Sequence, residues 1–304
     1  MRTIYVENKK KNETVISYIK AIFPSLSNSV LFKALRNKDI RINDKKINAD
    51  TIINLNDKLD IYISDIYLFN LPKELNIIYE DENLLIVFKP QGILSNIEEI
   101  DEKNIKLLGG IEPTLETLVQ NINDKYKICH RLDRNTAGLV IFAKNNTSYL
   151  ELLDAFKEGY IKKEYIAYVA NSKFEKKHDI LEKYLLKQND GFSKIYDSKV
   201  NNGKKIITEY QVLETNIKKD FAILKVIIHT GKTHQIRAQL ANISHPIIGD
   251  SKYGKNDVNK KFKVYKQLLF AVKYSFSFYK DSSLFYLNNI TVSLDKELYN
   301  NKIR

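Results

Sequence analysis

The apolar residues of this 304-residue chain come in short runs separated by polar turns, and that spacing constrains the fold more than any other feature. Residues 84–88, 139–143, 165–170 and 221–228 are apolar stretches of strand length. None approaches the roughly 18 nearly uncharged residues that a membrane-spanning helix requires. A further strand at 209–213 precedes 221–228 across the charged loop 216–220, and late strands are predicted at 268–276 and 284–292. Strands that follow one another through short loops pair antiparallel. Leu115, Leu118, Val119 and Ile122 form a helical stripe. The expected class is α+β, with a mixed, largely antiparallel sheet.

The N-terminal part reads differently. Val15, Ile19 and Ile22 recur at helical spacing, and a second helix starts near Ser27 or Asn28 with Leu31, Ala34 and Leu35 on its apolar side. Ile40 and Ile42, then Leu59, Ile61 and Ile63, alternate as strands around the turn Asn43-Asp44-Lys45-Lys46. Residues 1–66 are therefore expected to form a small α+β domain. Pro72 and the loss of periodicity over 64–74 mark a linker, and 74–304 is expected to be one larger domain.

The formal net charge of +12 gives the surface a standing attraction for polyanions. Met1 to Tyr5 run into a charged stretch at 7–11 without the apolar core of a secretory signal. The single cysteine, Cys129, excludes an intrachain disulfide and any metal cluster built on cysteine, and a reducing cytoplasm is the expected compartment. Nothing in the pattern calls for a membrane or a dimer, so a monomer is expected. Lys33 and Arg36 share one face of the second helix, as an RNA-facing stripe or an ordinary solvated face.

The densest polar cluster in an apolar setting is His130-Arg131-Leu132-Asp133-Arg134-Asn135-Thr136-Ala137-Gly138, directly ahead of the apolar run at 139–143. Asn135 and Thr136 offer hydrogen bonds to a turn, and Gly138 permits a conformation or close approach that a side chain would resist. Such a loop would hold Asp133 firmly.

The run 130–144 resembles the signature of the RluA family of RNA pseudouridine synthases. Four further segments resemble the same family in order: Tyr79-Glu80-Asp81-Glu82 through Lys89-Pro90-Gln91-Gly92; Lys163-Glu164-Tyr165-Ile166-Ala167-Tyr168-Val169; His229 through Gly254; and Leu268-Leu269-Phe270-Ala271. The chain departs from the family pattern at Ala137, Gln239 and Ser244, where serine, histidine and glycine are usual. The pattern over 1–66 resembles the RNA-binding module of ribosomal protein S-four, with Glu13-Thr14-Val15 in place of its usual arginine-leucine-aspartate opening.

The resemblance implies a cofactor-free and metal-free isomerase. Pseudouridine formation breaks a carbon–nitrogen glycosidic bond, rotates the uracil and rejoins it through carbon, so a carboxylate suffices. It assigns that carboxylate to Asp133, which would act on the sugar or on the ring. A carboxylate enclosed in a pocket needs a cation beside it to stay ionised, and Arg237 is the family-matched candidate. Tyr165 would pack on the uracil and take part in proton transfer, although an alternating aromatic in a strand is also ordinary core.

The base must be flipped out of its stack to reach the acid, and Arg131 would occupy the vacated space. Lys89, Lys163 and Lys232 are candidates for phosphate contacts, and His130, Arg134, Thr136, His234 and Gln235 complete the expected substrate-binding set. The implied partner is structured RNA, with large-subunit ribosomal RNA or its precursor particle ahead of transfer RNA. A non-catalytic RNA-binding assembly factor is the competing class. A hydrolase using His130 or His234 with Asp133 lacks a serine or cysteine in a fitting elbow.

Overall fold

The computed structural model describes residues 1–99, 102–188, 191–300 and 302–303. The chain divides into one unit of Met1–Leu75 with Ile93–Ile122 and a second of Asn76–Gly92 with Asn123–Arg304.

In the first unit, Thr14 and Ser27 accept the Ser17 and Val30 N–H groups and so start α1 (Val15–Ile22) and α2 (Asn28–Asn37). Strands β1 (Arg2–Tyr5), β2 (Ile40–Ile42), β3 (Lys45–Lys46) and β4 (Lys58–Ile61) pair antiparallel in the order β1-β4-β2-β3. Asn43 and Asp44, at φ +49° and +64°, make the two-residue β2–β3 turn, the backbone that tight hairpins demand. Ile19, Leu31, Ile40, Leu59 and Ile61 are fully buried between helices and sheet.

The boundary departs from the sequence reading, which gave everything beyond residue 74 to one domain. Arg2 is the reason. Its buried guanidinium binds Asp65 of α3 (Asp65–Leu68) at 2.7 and 2.8 Å, and donates to the carbonyls of Leu108 at 3.0 Å and Ile111 at 2.7 Å. These bonds tie β1 to the end of α4 (Glu102–Leu108), while α5 (Leu115–Gln120) follows from a Thr114 capping box.

The second unit is built on one sheet. Its strands are β5 (Ile77–Glu80), β6 (Leu84–Lys89), β7 (Lys127–Ile128), β8 (Ala137–Ala143), β9 (Ile161–Ala170), β10 (His178–Lys187), β11 (Ser193–Tyr196), β12 (Lys204–Asn216), β13 (Phe221–Ile228), β14 (Leu269–Phe276) and β15 (Thr291–Ser293). The order is β11-β10-β12-β13-β9-β14-β8-β6-β5, with β15 beside β14 and β7 beside β8. All described pairings are antiparallel except β14 with β8. Every residue of β8 is buried, which explains its uninterrupted apolar sequence.

The parallel step needs Gly138: at φ +137°, a Cβ there would stand 2.3 Å from the Ala271 carbonyl oxygen across the pair. The helices of this unit are α6 (Asn146–Glu158), α7 (Gln235–Asn242) and α8 (Asn256–Phe262). Residues 284–292, expected as a strand, mostly form a 3-10 turn over Phe285–Asn289 ahead of the short β15. The Asn288 side chain pairs with both backbone groups of Phe278 and holds the chain in that turn. Among the described residues, no helix is long and apolar enough to cross a membrane.

Candidate active site

Asp133 sits in the loop between β7 and β8, and that loop is braced from several sides. The Cys129 N–H donates to Ile141, the Thr136 N–H to the Asp133 carbonyl, and the Gly92 N–H to the Arg134 carbonyl. Lys89 Nζ adds a bond to the Arg134 carbonyl at 2.9 Å. Arg237 enters from the first turn of α7, and Tyr165 from the middle of β9, where it pairs with Val226 and Ala271. All three side chains line one cleft of about 1000 Å³.

Arg237 Nη1 donates to Asp133 Oδ2 at 2.8 Å. The rest of the guanidinium is committed elsewhere: Nε and Nη2 donate to Asp250 at 2.7 and 2.9 Å, and the Asp250 side chain is completely buried. Asp250 also accepts the N–H groups of Lys252 and Tyr253. Burial alone would raise its pKa, but the hydrogen bonds and charge of Arg237, with those two N–H groups, hold it below the ordinary carboxylate range. Burial likewise opposes the charge on Arg237, and Asp250 and then Asp133 outweigh it, so the pKa of Arg237 is raised. The result is a fixed cation that leaves Asp133 Oδ1 without a hydrogen-bond partner among the described residues.

Tyr165 is buried, and burial followed by the negative charge of Asp133 raises its pKa, so the phenol keeps its proton. Its hydroxyl makes no hydrogen bond among the described residues. Burial pulls the Lys163 ammonium down to about 8. Nζ of Lys163 lies 5.1 Å from the centre of the Phe156 ring, and no carboxylate is within ion-pair distance among the described residues. Arg131 and Lys232 stand exposed on the rim.

Several other expected contact residues are engaged in the scaffold. Lys89 is fully buried and bonded to the carbonyls of Pro90 and Arg134, which corrects its reading as a phosphate contact. His130 lines the cleft, but its Nε2 accepts the Ile141 N–H at 3.1 Å and its ring packs on Phe156 and Tyr274. Burial, then the charge of Lys163, lowers it to about 3, so it is neutral. Thr136 is buried and bonded by Gln267. Gln235 spends its amide on Ile207, Thr208, Thr230 and Lys232. Arg134 donates to the Gly92 carbonyl and lies outside the cleft lining. Lys33 and Arg36 are exposed on α2, in the first unit. Cys129 is buried, which pushes its thiol up to about 12 and leaves it inert.

Residues 83–242 match the family model described as RNA pseudouridylate synthase. A curated relative from Rickettsia bellii, named ribosomal large subunit pseudouridine synthase C, is 32% identical over 83% of this chain and 85% of its own length. The chain belongs to the RNA pseudouridylate synthase family. An uncharacterized RNA pseudouridine synthase of Mycoplasma capricolum is 33% identical over 94% of this chain and 95% of its own length. The solved structure of human RNA pseudouridylate synthase domain containing 1 shares the fold, with a TM-score of 0.58 at 20% identity over 73% of this chain and 84% of that one.

The span matched to the pseudouridylate synthase model holds Asp133, Tyr165 and Arg237 but stops short of Asp250 and Tyr253. Sequence reasoning quoted the stretch containing Asp250 without giving that residue a role. Its burial shows only in the structure, where a fully buried aspartate needs a cation. Tyr253, whose hydroxyl lies 3.1 Å from His234 Nδ1, carried no sequence signal.

Proposed function

We propose that this RNA pseudouridylate synthase isomerises uridine in large-subunit ribosomal RNA, with Asp133 as its nucleophile acting on a flipped-out nucleotide. The observation that carries the reading is the Asp133 carboxylate in the cleft wall, gripped at Oδ2 by Arg237 at 2.8 Å while Oδ1 stays unpaired. That oxygen would form a bond to the sugar or to the ring while the N1–C1′ bond breaks. The uracil then turns, C5 bonds to C1′, the bond to Oδ1 breaks and frees the carboxylate, and the C5 hydrogen leaves as a proton while N1 takes one up. Tyr165 stacks on the uracil, with its unpartnered hydroxyl placed to take part in that proton transfer. Arg131 on the rim fills the gap that the extruded base leaves, a step that costs a few kcal/mol.

The ribosomal substrate is supported by the relative named ribosomal large subunit pseudouridine synthase C. The helix pair and strands of the first unit, with Lys33 and Arg36 exposed, serve as an RNA-binding module like that of ribosomal protein S-four. A cytoplasmic monomer acting without cofactor or metal fits this reading. Position-resolved mapping of pseudouridine in total RNA from cells lacking the protein tests it. One or more large-subunit sites should revert to uridine and return on complementation. Loss confined to transfer RNA would overturn the ribosomal assignment.

Lys163 gives a second check. As a desolvated ammonium in the cleft it meets a phosphate of the bound strand, and in the free enzyme it loses its charge as pH rises through about 8. RNA affinity should therefore fall above that pH. Lys163→Met should weaken binding roughly tenfold at neutral pH, flatten the fall, and reduce the salt slope of log Kd by about 0.7. Titrations of labelled RNA at several pH values and salt concentrations read all three.

A further inference from the structure

His234 lies in the left-handed region, φ +59°, immediately before α7. Its Nδ1 is 3.1 Å from the Tyr253 hydroxyl, and its Nε2 is 3.9 Å from Asp133 Oδ2. The two nitrogens therefore face different groups, and the position of the ring's single proton decides what His234 presents to the acid.

Tyr253 biases that position. Its oxygen already accepts the Ser193 N–H at 2.6 Å. Burial raises its pKa, so the phenol keeps its hydrogen. A phenol that accepts one N–H and retains its own hydrogen gives it to Nδ1 or to the Ser193 hydroxyl oxygen beside it, and the imidazole nitrogen is the stronger acceptor of the two. An imidazole that accepts at Nδ1 carries its proton at Nε2, the nitrogen turned to Asp133. Burial keeps the ring neutral, lowering it to about 4; Asp133 and Asp250 oppose that shift, while Arg237 and Lys252 add to it. The Ser193 hydroxyl also donates to the Thr233 carbonyl, which fixes β11 to the residue before His234.

We infer that Tyr253 and His234 are positioning residues for the reaction: Tyr253 sets the Nε2–H tautomer of His234, which joins Arg237 in holding Asp133 by Oδ2 and so reserves Oδ1 for the substrate. The 3.9 Å separation is too long for a hydrogen bond in the free enzyme. Catalytic hydrogen bonds that are long without substrate tighten in the complex, and here about 1 Å of closure suffices. The inference rests on Asp133 being the reacting group, as proposed above.

Nitrogen NMR of the full-length protein with labelled histidine reads the tautomer directly and without reference to activity. His234 should show a protonated Nε2 and an unprotonated, hydrogen-bonded Nδ1, and Tyr253→Phe should give a mixture of both tautomers. In turnover assays, His234→Leu should lower kcat roughly ten- to hundredfold with KM for RNA nearly unchanged. Tyr253→Phe should lower kcat by about tenfold. His234→Gln, whose amide N–H reaches the Nε2 position, should recover most of the rate. A protonated Nδ1 in the wild-type protein, a wild-type kcat for His234→Leu, or a glutamine variant no faster than the leucine one would overturn the inference. An active Asp133→Asn enzyme would instead sink the nucleophile assignment and leave the tautomer measurement standing.

Discussion

Asp133→Asn is expected to lower pseudouridine formation on the order of 10⁴-fold or more while leaving the fold and RNA affinity in place. Asparagine keeps an oxygen for Arg237 Nη1, now 2.8 Å from Asp133 Oδ2, so the loop before β8 retains its anchor. What it loses is the negative oxygen that can form a bond at a carbon. The charge balance also favours a folded variant. Asp133, Arg237 and Asp250 together carry one excess negative charge in the wild type, and the amide leaves a matched Arg237–Asp250 pair. The thermal midpoint should be unchanged or slightly higher. Release of tritium from RNA labelled at uridine C5 measures the chemistry, because that hydrogen is lost when C5 becomes the glycosidic carbon. Conversion by the variant at the native rate would end the case for a nucleophilic Asp133.

The parts of this fold that were legible in the sequence are those decided by local burial. β8 is apolar throughout because every residue is buried, and β13 and the segment preceding it announced themselves as a pair across a charged loop. β10 and β11 went unread because they lie toward one end of the sheet, where His178–Lys187 mixes charged residues among apolar ones and only two of its residues are buried. The assignment of Ile93–Ile122 to the first unit was hidden as well. It depends on Arg2 meeting Asp65 and two carbonyls more than a hundred residues away, which no local pattern encodes. In the site, an enclosed acid needs a cation, and the family resemblance supplied Arg237 as that partner of Asp133. The same reasoning applied once more would have asked what compensates Arg237, and the structure supplies Asp250. Lysines show the limit of residue type as a guide. Lys89, Lys163 and Lys232 looked alike in sequence, but the first is fully buried scaffold, the second a half-enclosed cation in the cleft and the third an exposed rim group.

Asp250→Asn should destabilise the enzyme far more than Asp133→Asn. The Asp250 carboxylate is fully buried and receives four donors: Nε and Nη2 of Arg237 at 2.7 and 2.9 Å, and the N–H groups of Lys252 and Tyr253 at 2.8 and 3.1 Å. An amide can accept through only one of its two ends, so its NH₂ would face a donor, and Arg237 would keep Asp133 as its sole carboxylate. Breaking one side of a buried ion pair costs about 3–5 kcal/mol, and a loss of that size lowers the thermal midpoint of a unit this large by on the order of 10 °C. Activity should fall as well, since Arg237 is then free to swing toward Asp133 and shift the oxygen it now holds. The pH dependence gives an independent signature. The pKa of Asp250 is depressed in the folded state, so its contribution is present above the ordinary carboxylate range of about 4 and is lost as pH falls through its lower folded value. Thermal melts of wild type and variant should differ most near neutral pH and converge in acid. A gap that stays constant down to the lowest pH at which both proteins fold would mean that Asp250 acts by shape rather than by charge.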